Sequence, residues 1–540
     1  MSTVRSFLVA SSLALAACTG APAELGDDDI EAIDDGKADN YFSTSAREYW
    51  AEGGSQVVVE PGLKTAAARL ARAKELMQLK AVAIGWFLNV RLTDKEAGTG
   101  EHGDANAASY PGYHAIVRTG DFSLTNLKAA GDGATYTFDV KLQVAGQQNL
   151  ITKLPGTALS GSRKKVTLQM GKVANADLAK LDPEHEWFRD DPWDSGAFDP
   201  KKLTEDQLET VDLTFSAQDD EDDAYFDLKK LFSDGKLTID AHYGWDYWDR
   251  YDLANAQDLY DRLVADGFDS PAKSFDAYLP DDGPLTKTRA IAGKDVTIEV
   301  RIFHNAGKGA KGYDAGSEAD GIAWEKQVLK SLAEKEVVIF SGHSGQYYGF
   351  ALSDWKKTDR GAVDYPALSS ATMPRDRYQI VLASGCNTFS TGEAFRQNAS
   401  KPDFKNLNVV TTNTFSDAGS NEEVFALFAA LFGAEQSTFA ARPISTMLRK
   451  MNGSGMGAMF GVHGVDGDPR LHPFADVAKL GDACTANGDC GGDGNRCTKV
   501  GQKRVCSAAC VADDACPGSF KCKQVAATGT STIVGRQCLK

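Results

Sequence analysis

Between residues 255 and 475 the sequence alternates short apolar strands with amphipathic helices, and this alternation restricts the fold more than any other feature. The strand-like segments are VTIEVRIFH, EVVIFSG, RYQIVLASG, LNVVTTN and GAMFGVHG. The helical segments that alternate with them are AQDLYDRLVADG, AWEKQVLKSLAEK, TGEAFRQN, NEEVFALFAALFG and PISTMLRKMN. Such alternation is typical of parallel βαβ units, and the runs VVIF and IVLA suit strands covered by helices on both faces. The sequence therefore predicts an α/β domain over residues 255–475 with a mostly parallel, doubly wound sheet.

Residues 45–250 show a different pattern, in which strand-length runs alternate apolar and polar residues. The predicted strands are KAVAIGWFLNVRL, ATYTFDVKLQVA, KKVTLQM, ETVDLTFSA and GKLTIDAHYGW. Spaced Ala, Leu and Met residues from Thr65 to Leu79 predict one helix. The acidic run 219–223 lacks the spacing of a calcium-binding loop, so we interpret it as a solvated loop. This region is predicted to be a β-rich accessory domain without a chemical motif.

The N-terminus has the features of a bacterial export signal. A basic start precedes the apolar run SFLVASSLALAA, which is too short to span a bilayer, and Leu15-Ala16-Ala17-Cys18 resembles a lipoprotein cleavage site. We therefore expect a signal peptide over 1–17, a lipid on Cys18 and an acidic, disordered tether over 18–44. The protein would be exported and held by this lipid to the bacterial cell envelope, at the outer membrane or cell surface. Its formal net charge of -17 argues against nucleic acid as a partner.

The C-terminal segment 481–540 is rich in cysteine and poor in large apolar residues. In a small exported module this composition predicts four disulfides, although the sequence does not determine which cysteines pair. Zinc binding is disfavoured because the segment lacks histidine and paired C-x-x-C spacing. Recognition of a surface ligand is a further hypothesis for this module. The cysteines are Cys484, Cys490, Cys497, Cys506, Cys510, Cys516, Cys522 and Cys538.

Cys386 is left over when Cys18 carries lipid and the tail cysteines pair with one another. It follows the predicted strand of RYQIVLASG, and His343 follows the preceding predicted strand, EVVIFSG. The carboxyl ends of parallel strands form the functional crevice of such sheets, so both side chains should open onto one rim. A neighbouring base is what a thiol needs to become a nucleophile near neutral pH. The sequence therefore predicts a His343–Cys386 pair, with no metal or other cofactor.

An apolar strand that ends in histidine and a glycine-containing turn, followed by a strand that ends in small residues and cysteine, resembles the caspase-like cysteine peptidases of clan CD. That group includes caspases, gingipains, legumains and CHAT-type domains, and the 43 residues between His343 and Cys386 agree with this order. The resemblance implies a caspase-like fold and hydrolysis of a protein or peptide substrate. Cys386 would form a thioester, and His343 would transfer protons. Backbone N–H groups of Cys386 and of Ser344 or Gly345 would form the oxyanion hole.

Two positions depart from the family pattern. Ser344 follows the histidine where glycine is usual, and Gly385 precedes the cysteine where alanine is commoner. The caspase signature around the cysteine is also absent, so specificity for aspartate is not carried over. Cleavage after a basic residue stays open, because acidic residues such as Asp354 and Asp417 follow these strands.

Two alternatives remain open from the sequence. His463, at the end of GAMFGVHG, could replace His343 as the base, although the sequence around Cys386 does not have the papain-like pattern. The chain could also be a non-catalytic surface binding or adhesion protein with a caspase-like domain, because fold does not determine function.

Overall fold

The computed structural model describes residues 41–93, 113–172, 203–219, 221–246, 251–304, 318–345, 349–353, 358, 360–413, 416, 419–435, 438–439, 441–452, 458–526 and 531–540. The predicted signal peptide, Cys18 and all but the last four residues of the predicted tether lie outside these ranges. No helix within them is both long enough and apolar enough to cross a membrane.

The first sheet is antiparallel throughout and has six strands in the order β2-β3-β1-β6-β5-β4. Its elements are β1 (Ala46–Val58), α1 (Ala66–Thr93), β2 (Ala115–Ala129), β3 (Thr135–Gln147), α2 (Leu150–Lys153), β4 (Thr157–Leu159), β5 (Arg163–Gly171) and β6 (Leu208–Ala217). Helix α1 shares a buried apolar core with this sheet. The prediction of a β-rich first region is therefore correct in outline.

The segment KAVAIGWFLNVRL was predicted as a strand, and this prediction is wrong because the segment forms the second half of α1. Its deeply buried residues include Ile84, Phe87, Leu88 and Leu92. These positions follow the spacing of one helical face, which packs on the sheet. Small apolar residues between them gave the segment the appearance of a strand.

The second sheet has seven strands in the order β18-β15-β14-β10-β7-β9-β8. Its strands are β7 (Lys236–Tyr243), β8 (Leu285–Ile291), β9 (Lys294–His304), β10 (Val337–Ser341), β14 (Gln379–Ser384), β15 (Leu407–Thr412) and β18 (Phe460–His463). Minor strands are β11 (Ser344–Gly345), β12 (Gly349–Ala351), β13 (Ala362–Val363), β16 (Ala434–Glu435) and β17 (Thr438–Phe439). The five central strands are parallel, and the two edge strands β8 and β18 are antiparallel to their neighbours.

Helices connect these strands at the positions that the sequence pattern indicates. They are α3 (Leu228–Leu231), α4 (Tyr251–Ala265), α5 (Glu318–Glu334), α6 (Tyr365–Ser370), α7 (Phe389–Arg396), α8 (Glu422–Phe432) and α9 (Ile444–Met451). Separate apolar cores on the two faces of the sheet contain alternate residues of β10 and β14. The mostly parallel α/β architecture is thus as predicted.

Strand β7 was assigned to the accessory domain from its sequence, but it lies at the centre of the second sheet, parallel to β9 and β10. The α/β sheet therefore begins before residue 255. Apolar and polar residues alternate in its first half, LTID, as in a half-buried strand. In the structure the polar residues of β7, Asp240 and His242, are nevertheless buried, because Ser331 of α5 hydrogen-bonds to both.

The first sheet is packed against α7 of the second. Arg118 of β2 is fully buried, and its guanidinium carbon lies 4.2 Å from the ring centroid of Phe389 in α7. Tyr41, Ile116, Ala145 and Phe389 belong to one apolar cluster between the two sheets. The β-rich region is therefore continuous with the α/β region through a buried interface.

The eight tail cysteines form four disulfides, as predicted. The strands are β19 (Asn495–Val500), β20 (Lys503–Ala508), β21 (Lys521–Ala526) and β22 (Ile533–Leu539), arranged as two antiparallel hairpins. Each successive group of four cysteines pairs its first with its third and its second with its fourth. The tail is therefore two consecutive units of the same design, each with one hairpin and two disulfides. The pairs are Cys484–Cys497, Cys490–Cys506, Cys510–Cys522 and Cys516–Cys538.

Candidate active site

His343 and Cys386 occupy equivalent positions on neighbouring strands. Strands β10 and β14 are parallel, with Ser341 opposite Ser384, and each candidate residue lies two positions beyond this pair. Adjacent strands in a sheet are separated by about 4.8 Å, so the two turns emerge side by side. Both residues are partly exposed, and Cys386 is the one cysteine outside a disulfide in the described chain. The structure thus brings the two predicted residues to one rim.

Ser344 links the two turns directly. Its hydroxyl donates a hydrogen bond of 2.7 Å to the backbone carbonyl oxygen of Cys386. Gly342 adds a second link, because its N–H donates to the carbonyl oxygen of Ser384 at 3.0 Å. The position of the cysteine turn is therefore coupled to that of the histidine turn.

The two departures from the family pattern, Ser344 and Gly385, are complementary in space. A Cβ added at Gly385 would lie 2.1 Å from Ser344 Oγ and 2.8 Å from Ser344 Cβ. The serine side chain thus occupies the space that an alanine methyl group at 385 would need. Serine after the histidine and glycine before the cysteine are therefore a matched pair.

Cys386 lies in a sharp connection between β14 and α7. The following residue, Asn387, has a φ of 56°, and α7 begins at Phe389. Thr388 donates its hydroxyl hydrogen bond to the carbonyl oxygen of Ala383, and Thr412 of the next strand donates one to Gly385. Left-handed conformations of residues other than glycine persist where the surroundings hold them, often at functional sites. The polar contacts of these two threonines hold the cysteine turn at the strand end.

His343 is predominantly neutral near pH 7. Burial lowers the pKa of His343 to about 4. Its backbone carbonyl oxygen accepts a hydrogen bond of 3.0 Å from the N–H of Ala351 in β12, which fixes the turn. A neutral imidazole can accept a proton, as a base opposite a thiol must.

The residues proposed for the oxyanion hole lie at the same rim. Ser344 and Gly345 form β11, which pairs with Phe350 and Gly349 of β12 directly after His343. Cys386 follows β14 on the neighbouring strand. Their participation in an oxyanion hole stays a prediction.

His463 is a core residue. It lies on β18 opposite Val409, within β15 and away from the carboxyl end of that strand. It is fully buried, its Nε2 is 2.8 Å from the hydroxyl of Thr411, and its ring packs against Phe389 and Phe404. Burial, together with the positive charge of Arg118, holds the pKa of His463 well below its usual range. This placement disfavours His463 as the base for Cys386.

A buried polar network at the same edge of the sheet was not predicted from the sequence. The hydroxyl of Tyr243 donates to Asn421 Oδ1 at 3.0 Å, and the amide of Asn421 donates to the carbonyl oxygen of Asn255 at 3.0 Å. The hydroxyl of Ser384 donates to Glu423 Oε1 at 2.9 Å. These bonds join the ends of β7 and β14 to the starts of α4 and α8. The helix starts were visible in the sequence, but their partners are far apart along the chain.

Two further polar side chains at this edge have unmet hydrogen-bonding capacity. Asn413, directly after β15, is buried, and both polar atoms of its amide lack a partner within the described residues. Asp252, in the first turn of α4, is also buried. A correct assignment of β7 would have revealed Asp252, because a helix after a central parallel strand starts at this edge. Asp354 and Asp417, considered above for basic specificity, lie outside the described residues.

Comparisons of the chain with protein-family models, curated proteins and solved structures find no significant match in any of the three.

Proposed function

We propose that this protein is an exported, lipid-anchored cysteine peptidase, similar to the caspase-like group, that hydrolyses peptide bonds through Cys386 and His343. The observation that carries the proposal is the register of β10 and β14, which makes the two residues equivalent neighbours at one rim. The hydrogen bond between Ser344 and Cys386 supports it, because it fixes one turn relative to the other. The lipid anchor rests on the N-terminal sequence alone.

In the proposed reaction, the proton of the Cys386 thiol passes to the imidazole of His343, and the sulfur attacks the carbonyl carbon of the scissile bond. The negative charge develops on the carbonyl oxygen, near the backbone N–H groups expected to stabilise it. The C–N bond then breaks, His343 gives its proton to the leaving amine, and a thioester remains. Water attacks the thioester carbon, His343 accepts one water proton, and the C–S bond breaks as that proton returns to the sulfur. The product is a carboxylic acid and the free thiol.

The sheet topology also supports a site at this edge. The central order β9-β7-β10-β14-β15 corresponds to 2-1-3-4-5 in the order of these five strands along the chain, a common doubly wound arrangement. In such sheets the connections change direction between the first and third of these strands, and ligands bind outside the carboxyl ends there. That point lies between β7 and β10, and β10 leads directly into His343. A peptide bound at this crevice would lie against the His343 turn.

The rate of alkylation of Cys386 by iodoacetamide, measured against pH in the folded protein, tests the pair. We expect the profile of the wild-type protein to depart from that of a free thiol, with a pKa of about 8.5, and to depend on His343. The variant His343→Ala should abolish the departure. A matched control is His304→Ala, because His304 also ends a parallel strand and burial also lowers its pKa to about 4, but two strands separate it from β14.

An alkylation profile with a pKa near 8.5 that is unchanged in His343→Ala would contradict the proposed pair. That result would favour the alternative of a non-catalytic surface binding protein. A profile that depends on His343 would justify a peptide-library cleavage assay, with Cys386→Ser as the inactive control. Cleavage that persists in Cys386→Ser would also contradict the proposal.

A further inference from the structure

Asp252 is a carboxylate buried beside the turn that leads into His343. A Cβ added at Gly342 would lie 3.3 Å from Asp252 Oδ2 and 2.8 Å from the Cα of Gly244. The backbones of Gly342 and Gly244, which end β10 and β7, therefore pack together with the Asp252 carboxylate beside them. Asp252 itself is only 2% exposed.

The Asp252 side chain is not needed to cap α4. Asp246 does this, because its two carboxylate oxygens accept hydrogen bonds from the N–H groups of Asp252, at 2.7 Å, and of Leu253, at 3.2 Å. No residue that the structure describes donates a hydrogen bond to the carboxylate of Asp252. A buried carboxylate without a donor or cation is costly, so its retention at this position calls for a partner.

The electrostatic surroundings of Asp252 favour a cation. Burial, and then the negative charge of Asp246, raise the pKa of Asp252 well above its usual range. A positive charge placed against the two carboxyl groups would oppose both effects, because it stabilises the ionised form that burial and Asp246 destabilise. The chain as a whole is acidic, with a formal net charge of -17.

We infer that Asp252 is a specificity-determining residue that binds the cationic side chain of an arginine or lysine immediately before the scissile bond. The inference rests on the proposed peptidase function. A side chain on the substrate residue attacked by Cys386 would extend along the floor of the rim, between the ends of β7 and β10. Arginine and lysine have the length and charge to reach a carboxylate recessed in this way. The neutral side chains at this position in other peptides would leave the carboxylate unpaired.

Three peptidyl acyloxymethyl ketones that differ only in the residue beside the ketone test the inference on the full-length protein. That residue is arginine, lysine or citrulline, which keeps the shape of arginine without its charge. Labelling of Cys386 is followed by intact mass. We expect arginine or lysine to react about 100-fold faster than citrulline, since leaving one member of a buried charge pair unpaired costs this much or more.

The variant Asp252→Asn should reduce the arginine and lysine rates to the citrulline rate and leave the citrulline rate within a factor of about 3. Asp258→Asn is the matched control, because Asp258 lies on the same helix but is exposed and paired with Arg262. The ranking of the three reagents on the wild-type protein does not depend on the folding of any variant.

Equal labelling of wild-type Cys386 by the arginine, lysine and citrulline reagents would overturn the inference and leave the proposed function intact. Equal slowing of all three reagents by Asp252→Asn would also overturn it, because Asp252 would then position His343 and not bind substrate. Failure of every reagent to label Cys386 would overturn the proposed function, and the inference with it.

Discussion

The hydroxyl of Ser344 donates a hydrogen bond of 2.7 Å to the backbone carbonyl oxygen of Cys386, so the residue after the candidate base holds the candidate nucleophile. This contact exists because Gly385 has no side chain. A Cβ at that position would lie 2.1 Å from Ser344 Oγ. Both unusual residues of the two turns are explained by this one contact.

The first prediction concerns this pair. Gly385→Ala alone should reduce the free energy of unfolding by about 1–3 kcal/mol through overpacking, and should change the rate of Cys386 alkylation. Adding Ser344→Gly should recover most of the stability, because it vacates the space for the new methyl group. Chemical denaturation of the two single variants and the double variant measures this coupling.

The control for this cycle is Gly467→Ala, because no atom lies within 4 Å of a Cβ added there. It should change the stability little. If the double variant were as unstable as the sum of the two single variants, the two positions would not be a matched pair.

The second prediction concerns the interface between the two sheets. Arg118 Nη1 donates to Gln143 at 2.6 Å and lies 3.7 Å from Glu393 of α7, and Nη2 donates to Glu48 at 3.4 Å. Arg118→Met should reduce the free energy of unfolding by about 3–5 kcal/mol, because buried carboxylates lose their cation. Thermal or denaturant unfolding checks this.

The matched control is Arg72→Met. Arg72 also contacts two glutamates, Glu60 at 2.7 Å and Glu75 at 2.9 Å, but all three side chains are exposed. Its loss should cost less than about 1 kcal/mol. Similar costs for the two variants would contradict the importance of the buried interface.

The third prediction concerns pH. Burial, more than any other cause, raises the pKa of Asp468 to about 8, and its carboxyl oxygens accept hydrogen bonds from Tyr378 at 3.0 Å and Asn408 at 2.7 Å. The unfolded pKa is about 3.9, so between these values the folded protein holds a proton that the unfolded chain releases. This contribution to stability is fully present below about pH 4 and is lost as pH rises to about 8.

Asp468→Asn should remove this dependence. The difference in unfolding free energy between wild type and variant should therefore change by up to about 1 kcal/mol per pH unit between about pH 4 and 8, in favour of the variant as pH rises. Denaturation of both proteins across this range measures the difference. A difference that is constant with pH would show that Asp468 does not titrate in this way.

The fourth prediction concerns the tail. Replacing both Cys516 and Cys538 by alanine should destabilise the second hairpin unit by about 2–5 kcal/mol, because the bridge closes a loop of 22 residues. Limited proteolysis of the tail reports this loss. The alkylation rate of Cys386 should be unchanged, since the tail disulfides form clusters separate from the cores of the main sheet. Parallel loss of both properties would contradict the independence of the module.

Regular patterns in the sequence predicted most of the second sheet. Strands β9, β10, β14, β15 and β18 and the helices between them occur where the alternation places them. Two segments were wrongly predicted for physical reasons. Part of α1 contains apolar residues close enough together to resemble a strand, and β7 contains polar residues that are buried through Ser331 of a distant helix.

The sequence by itself determined the odd cysteine, the histidine that precedes it by one strand, the mostly parallel sheet and the cysteine-rich tail. These features depend on composition, periodicity and order along the chain, which are local properties. The tertiary structure alone decided the register of β10 and β14, the pairing of the disulfides, the place of β7, the match between Ser344 and Gly385, and the burial of Asp252 beside Gly342. Each of these depends on contacts between segments that are separated in sequence, and such contacts are established only when the chain packs.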